Sequence, residues 1–167
     1  ARRASRQLRA QGSPLYLYED QDTTINRSGF LSDQVRSETA LVEASLTGLN
    51  PVTVKEVADR LATARRVRFA GFRNSRILAE YGCATLRPFR NDVELMNYST
   101  ETLADGIASL EANDIAFIVG LRRRPAFFTE FVKAVASTGA DILLISDNSI
   151  REAPAHAKWN VHCGVES

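Results

Sequence analysis

Two short stretches of this 167-residue chain combine residue types that chemistry can use. Arg122-Arg123-Arg124 comes two residues after Ile115-Ala116-Phe117-Ile118-Val119, a run without a polar side chain. Adjacent guanidiniums repel one another, and an anion relieves that repulsion while accepting bidentate hydrogen bonds from them. Arginine runs also occur as solvated charge on exposed turns. Position favours the anion here, because the run leaves the end of what reads as a buried strand. The second stretch is Gly71-Phe72-Arg73-Asn74-Ser75, where a glycine closes Val67-Arg68-Phe69-Ala70 and Asn-Ser opens a helical segment. Backbone N–H groups at a helix start lack partners and sit at the positive end of the helix dipole, so they attract phosphate or carboxylate. The Ser75 hydroxyl and the Arg73 guanidinium would add to that attraction. Asn74 or Ser75 could equally cap its own helix, which for this stretch taken alone is the commoner role. The candidate ligand-binding residues are therefore Gly71, Arg73, Asn74, Ser75, Arg122, Arg123 and Arg124.

Residues for catalysis are sparse. His156 and His162 are the only imidazoles, and neither has a carboxylate nearby in sequence to make it a base. No nucleophile elbow, GxGxxG or P-loop occurs. Glu94, Glu101 and Glu111 read as surface or helix-start carboxylates. Cys83 and Cys163 are the only cysteines and form no CxxC or Cys/His pattern, which argues against a disulfide framework or a zinc site and for a reducing cytoplasm. Cys83 reads as a small core residue and Trp159 as a packing anchor. Neither a metal nor a cofactor is expected.

These residues need a scaffold, and the composition supplies one. With 44% hydrophobic and 25% charged residues the chain suits one globular domain, and a net charge of +1 leaves anion attraction to local clusters of arginine. No apolar stretch approaches the roughly 20 residues that span a bilayer, so a membrane partner is not expected. Residues 2–9 hold Arg2, Arg3, Arg6 and Arg9 without an acid, and Gly12-Ser13-Pro14 breaks any helix. The chain starts at Ala1 without Met, which suggests an internal piece of a longer protein. A helix is expected from about Ser32-Asp33 to Gly48, and a second one capped by Asn50 with Pro51 at its first position. Val54, Val57, Ala58 and Leu61 would form the buried stripe of that second helix.

From residue 66 the period changes. Strands are expected at 67–71, 93–96, 115–119, 142–145 and 159–162, with helices at 75–86, 102–111 and 126–138 between them. This alternation argues an α/β fold, a three-layer α-β-α arrangement around a mostly parallel five-stranded sheet. In such a sheet ligands bind beyond the carboxyl ends of the strands. The qualifying loops are Gly71–Ser75, Asn97–Glu101, Gly120–Pro125 and Ser146–Ser149.

Taken in order, these pieces resemble a sugar isomerase (SIS) domain of the RpiR/MurR family of bacterial transcription factors. Arg66-Val67-Arg68-Phe69-Ala70-Gly71-Phe72-Arg73-Asn74-Ser75 is similar to the family's strand and Gly-x-Gly-x-Ser loop. Asp114-Ile115-Ala116-Phe117-Ile118-Val119 is similar to its Asp-led apolar strand. Ser137-Thr138-Gly139-Ala140-Asp141-Ile142-Leu143-Leu144-Ile145-Ser146-Asp147 is similar to its Lys-x-x-Gly-Ala-x-Val-Ile-x-Ile-Thr-Asp segment, and Ile150–Ala157 stands at its Ser-Pro-Leu-Ala-x-x-Ala-Asp run. The resemblance implies a SIS-type, flavodoxin-like domain over residues 33–167, lacking the family's C-terminal helices. Residues 1–32 would then be a basic tail and linker from an N-terminal helix-turn-helix domain that binds the DNA.

The family's second loop, Ser-x-Ser-Gly-x-Thr, is here Gly120-Leu121-Arg122-Arg123-Arg124-Pro125, without a hydroxyl, and Arg73 replaces the second glycine of the first loop. The site has been rebuilt around guanidiniums, has changed ligand toward a sugar acid or another carboxylate, or has lost its ligand. The resemblance implies an effector-sensing and dimerisation domain of a cytoplasmic regulator of carbohydrate metabolism. It would bind a phosphosugar or another small anionic carbohydrate derivative, form a homodimer or higher homo-oligomer, and not act as an enzyme. The alternatives are a sugar-phosphate isomerase, with Glu101 or His156 as its base, and a dimerisation module without ligand.

Overall fold

A computed structural model of the chain describes residues 27–96 and 100–165. The arginine-rich tail and the linker read at residues 1–26 lie outside the described residues, as does the 97–99 part of the loop after the second strand. The chain divides into two units at Thr39 and Ala40. Helix α1, Arg27–Thr47, runs through the division and starts earlier than the expected Ser32-Asp33. In the first unit the described segment is largely exposed, with Gln34 donating to Glu38 at 2.8 Å one turn on.

The second unit holds the sheet. Helix α2, Pro51–Thr63, starts as its sequence dictates: Asn50 caps it by accepting from the Val52 N–H at 2.9 Å, and Pro51 occupies the first turn. Its last carbonyls are met by Arg90, which donates to Leu61 O and Ala64 O. The expected buried stripe is only half right. Val57 and Leu61 pack on the core, while Val54 and Ala58 stay exposed. The remaining elements alternate: β1 Val67–Gly71, α3 Asn74–Leu86, β2 Val93–Leu95, α4 Thr100–Ala108, β3 Ile115–Gly120, α5 Phe128–Ser137, β4 Asp141–Ser146 and β5 Trp159–His162, with single 3-10 turns at Arg87–Phe89 and Ala153–His156.

All the strand pairs are parallel, in the order β2-β1-β3-β4-β5. Alternate residues feed two separate cores. Val67, Phe69, Ile115, Val119 and Leu143 face α2 and α3, where Ala79 and Cys83 pack; Ala70, Ala116, Ile118, Ile142 and Leu144 face α4 and α5. The expected three layers are therefore present. Because β3 and β4 are covered on both faces, their sequences are apolar runs rather than alternating ones. Trp159 is the anchor its sequence suggested: it is buried, and its indole N–H donates to Glu56 at 3.2 Å.

Charged side chains tie the amino ends of the strands. Arg60 holds Asp141 at 2.6 Å, and Arg65 holds the buried Asp114 at 2.7 Å. These pairs leave the opposite end of the sheet, the carboxyl end, for ligand chemistry. With this strand order the direction of winding reverses between β1 and β3, so the loops after those strands flank the switch point.

Candidate anion-binding site

The loop after β1 is a tight turn. Ser75 N–H donates to Phe72 O at 3.1 Å, and Arg73 between them has φ 57° and ψ −126°. These are the angles of the first central position of a type II′ turn, which glycine normally fills. The backbone has kept the glycine geometry while the residue has become arginine. Gly71 is needed for a different reason: a Cβ there would lie 2.4 Å from the Ser75 carbonyl oxygen, so only glycine lets α3 start this close to β1. Neither Asn74 nor Ser75 caps α3; Arg73 occupies the cap position, and no side chain makes a cap hydrogen bond. The cap reading is therefore not the one the structure adopts. Asn74 is exposed, whereas Ser75 is buried and its Oγ accepts the Leu121 N–H at 3.3 Å.

That bond stitches the first loop to the second. Arg73 adds another link, donating from Nη1 to Arg123 O at 3.4 Å, and Phe72 packs edge-on against Phe131 of α5 with ring centroids 5.0 Å apart. Arg123 also has a positive φ, 64°. The crevice between the β1 and β3 loops is thus bridged by protein groups, and the guanidinium-bearing residues Arg73 and Arg123 are brought together at it.

The three arginines after β3 have different surroundings. Arg124 is mostly buried and fully engaged: Nη1 donates to Gly120 O at 2.8 Å and to Asp147 Oδ1 at 3.2 Å, and Nη2 to Ser149 Oγ at 2.8 Å. It clamps the β3 loop to the β4 loop. Asp147 Oδ1 also accepts the Ser149 N–H at 2.9 Å and the Ser149 hydroxyl. Burial would push the Asp147 carboxyl up, but the hydrogen bonds from Ser149 and Arg124 outweigh it and hold the group below the usual carboxylate range. Arg122, by contrast, is exposed and makes no hydrogen bond or ion pair among the described residues.

Arg122 lines a cavity of about 110 Å³ together with Asp147, Asn148, Ser149 and Val165. Asp147, Asn148 and Ser149 were not among the sequence-derived candidates, although the rule for strand ends had already pointed to their loop. A charge cluster is visible in sequence, whereas a polar Asp-Asn-Ser turn looks like any other turn. The open space therefore lies on the β4 side of Arg122, beside the bridged β1/β3 crevice.

A second cavity, of about 370 Å³, lies between the end of α1, the start of α2 and β5, with Asn160 and His162 on its wall and no arginine or lysine in its lining. Close to that wall Ser146 donates to Asn160 Oδ1 at 2.8 Å, and its Oγ lies 3.1 Å from His162 Nδ1. His156 ends its 3-10 turn and is exposed, away from the arginine-lined cavity's lining residues. Among the described residues no group of His, Cys, Asp and Glu side chains could hold a metal ion, and no helix is long and apolar enough to cross a membrane.

No family model and no curated protein matches the chain. Solved structures do. The sugar isomerase domain of the RpiR transcription factor from Sphaerobacter thermophilus superposes with a TM-score of 0.70 at 17% identity, over 80% of this chain and 76% of that one. The chain has the fold of a sugar isomerase domain. The NanR protein of Vibrio vulnificus, solved with ManNAc-6P, gives 0.68 at 12% identity over 85% of this chain and 54% of its own. Escherichia coli CFT073 c3406, solved in complex with a phosphosugar, gives 0.64 at 14% identity over 86% and 77%. The Gly71–Ser75 and Gly120–Pro125 loops leave neighbouring parallel strands, β1 and β3, at the same end of the sheet.

Proposed function

We propose that this sugar isomerase domain senses a small anionic carbohydrate derivative, a phosphosugar or a sugar acid, as the effector-binding and dimerisation part of a transcriptional regulator of carbohydrate metabolism. The observation that carries the reading is Arg122, a guanidinium without a partner among the described residues, on the wall of a cavity at the carboxyl ends of the strands. Arg73 and Arg123, linked across the switch point, add positive charge at the same end of the sheet. Gly71, Ser75 and Arg124 set the shape of the two loops that present these charges. NanR with ManNAc-6P and c3406 with its phosphosugar supply the ligand class by analogy of fold.

Sensing rather than turnover is favoured by Asp147, the one carboxylate among the described residues that line the cavity. Asp147 is bound by Arg124 and Ser149 and held ionised by them, which makes it a weak base. A homodimer is supported by apolar side chains left exposed along α1 and α3, among them Leu31, Val35, Leu46, Ile77 and Tyr81. In this reading residues 33–167 are the sensor, and residues 1–32 link it to a DNA-binding helix-turn-helix domain in the cytoplasm.

The test is thermal unfolding with phosphosugars, sugar acids and inorganic phosphate. A ligand at a hundred times its Kd adds about 2.7 kcal/mol, roughly 5–10 °C for a chain of this size. Arg122→Ala, a surface change, should abolish the shift without lowering the unliganded Tm. No shift from any of these ligands would overturn the reading. Turnover of aldose or ketose phosphates would replace it with an isomerase.

A further inference from the structure

The apolar stripe of α2 is left half covered, and the reason is a gap beneath its first turn. Val54 lies on the same side of the helix as Val57 and Leu61, yet 47% of it is exposed while the other two pack on the core. The middle and end of α2 are pinned to the sheet, by Glu56 to the Trp159 indole at 3.2 Å and by Arg60 to Asp141 at 2.6 Å. Its start is not, and the cavity of about 370 Å³ lies there, closed on its other sides by β5 and the last turn of α1. Val54, Val57, Leu143 and Val161 give it an apolar floor, and no Asp, Glu, Lys or Arg lines it. Two carboxamides stand at the same cavity. Asn50 Oδ1 takes the Val52 N–H at 2.9 Å and Asn160 Oδ1 takes the Ser146 hydroxyl at 2.8 Å, which orients both groups. Neither amide nitrogen has an acceptor among the described residues, so each is left as a donor.

The geometry points to a second small-molecule site here, for an uncharged ring compound that carries a carbonyl oxygen. The volume falls within the range of about 300–1,000 Å³ typical of small-molecule pockets, and an apolar floor with a few polar groups is their usual lining. An apolar ring removes Val54 and Val57 from water, and the carbonyl accepts from Asn50 or Asn160. Charge is selected against, because an ion of either sign would leave water for a lining that offers no opposite charge. The site shares no lining residue with the cavity at Arg122 and goes beyond the anion-sensing reading. Its occupant would bridge α1, α2 and β5. Near the end of α1, Ser45 already accepts the Gly164 N–H at 2.9 Å, and a bound ring adds contacts that tighten the hold of the sheet on that last turn.

The experiment is an NMR titration of the isotope-labelled chain with acetophenone and cyclohexanone, which are neutral and only accept hydrogen bonds, and with benzoate and benzylammonium as charged counterparts. At least one ketone is expected to shift the backbone signals of Leu49, Asn50 and Val161 in a saturable way, about ten-fold or more tightly than either ion. Val54→Trp, at a half-exposed position, fills the cavity and should abolish these shifts. Asn160→Asp keeps an oxygen for Ser146 but removes the donor, and should weaken the ketone several-fold. Both variants are checked for a native-like spectrum first, and one folded variant suffices for the test. No shift from either ketone, equal affinity for ketones and ions, or binding that survives a folded variant unchanged would each overturn the inference. So would a change in sedimentation of Val54→Trp without ketone binding to the native chain, which would make this face a contact between copies instead.

Discussion

Arg73 gives the sharpest test of the physical reasoning, because stability and binding should move in opposite directions. Its φ of 57° and ψ of −126° place an L side chain where glycine is the usual residue. Such a conformation costs about 1–3 kcal/mol. Glycine removes that cost but brings back about 0.5–1 kcal/mol of unfolded-chain entropy. The side-chain hydrogen bond lost, 3.4 Å long and at the surface, is worth about 0.5 kcal/mol or less. The net expectation for Arg73→Gly is a gain of about 1 kcal/mol, a rise in Tm of roughly 2–4 °C for a chain of this length. Arg73→Ala retains the strained backbone and loses the guanidinium, so it should be neutral or slightly destabilising. Urea unfolding of both variants reads the difference directly, and titration with inorganic phosphate reads the cost in binding, which should be several-fold and similar in both. If Arg73→Gly is no more stable than Arg73→Ala, the turn is not strained and the argument from its backbone fails.

Two further expectations follow from the same loops and helices. Asp147 and Asp141 are held below the ordinary carboxylate value of 3.8 in the folded chain, so the stability they contribute is present in full above that pH and is lost as pH falls through their lower folded values. Tm should therefore drop steeply below about pH 4. Asp147→Asn should flatten part of that slope while costing about 3 kcal/mol at neutral pH, the low end for breaking a buried pair, since Arg124 keeps some contact with water; an unchanged acid slope would count against the assignment. The α3 face is tested by Ile77→Glu combined with Tyr81→Glu, both at well-exposed positions. Sedimentation should show a folded monomer in place of the proposed dimer, and a variant that stays dimeric would remove α3 from the interface.

Much of this protein is written in local sequence. The apolar run Ile115–Val119 and the stop at Thr138-Gly139, where Gly139 takes φ 80°, locate their elements because strand burial and helix termination depend on residues a few positions apart. The alternation of strands and helices determines the layered α/β class, and the arginine run follows β3 at the carboxyl end of the sheet. What the sequence leaves undecided is long-range. The three arginines at 122–124 are alike in sequence, yet only the fold brings Asp147 and Ser149 to Arg124 and leaves Arg122 without a partner among the described residues. Ser75 reads as a ligand hydroxyl or a cap, and only the fold brings the Leu121 N–H, 46 residues away, to its oxygen. Residue types and spacing decide secondary structure and charge through short-range sterics and periodicity; which charge stays free for a ligand is decided by partners that only tertiary packing brings within hydrogen-bond reach.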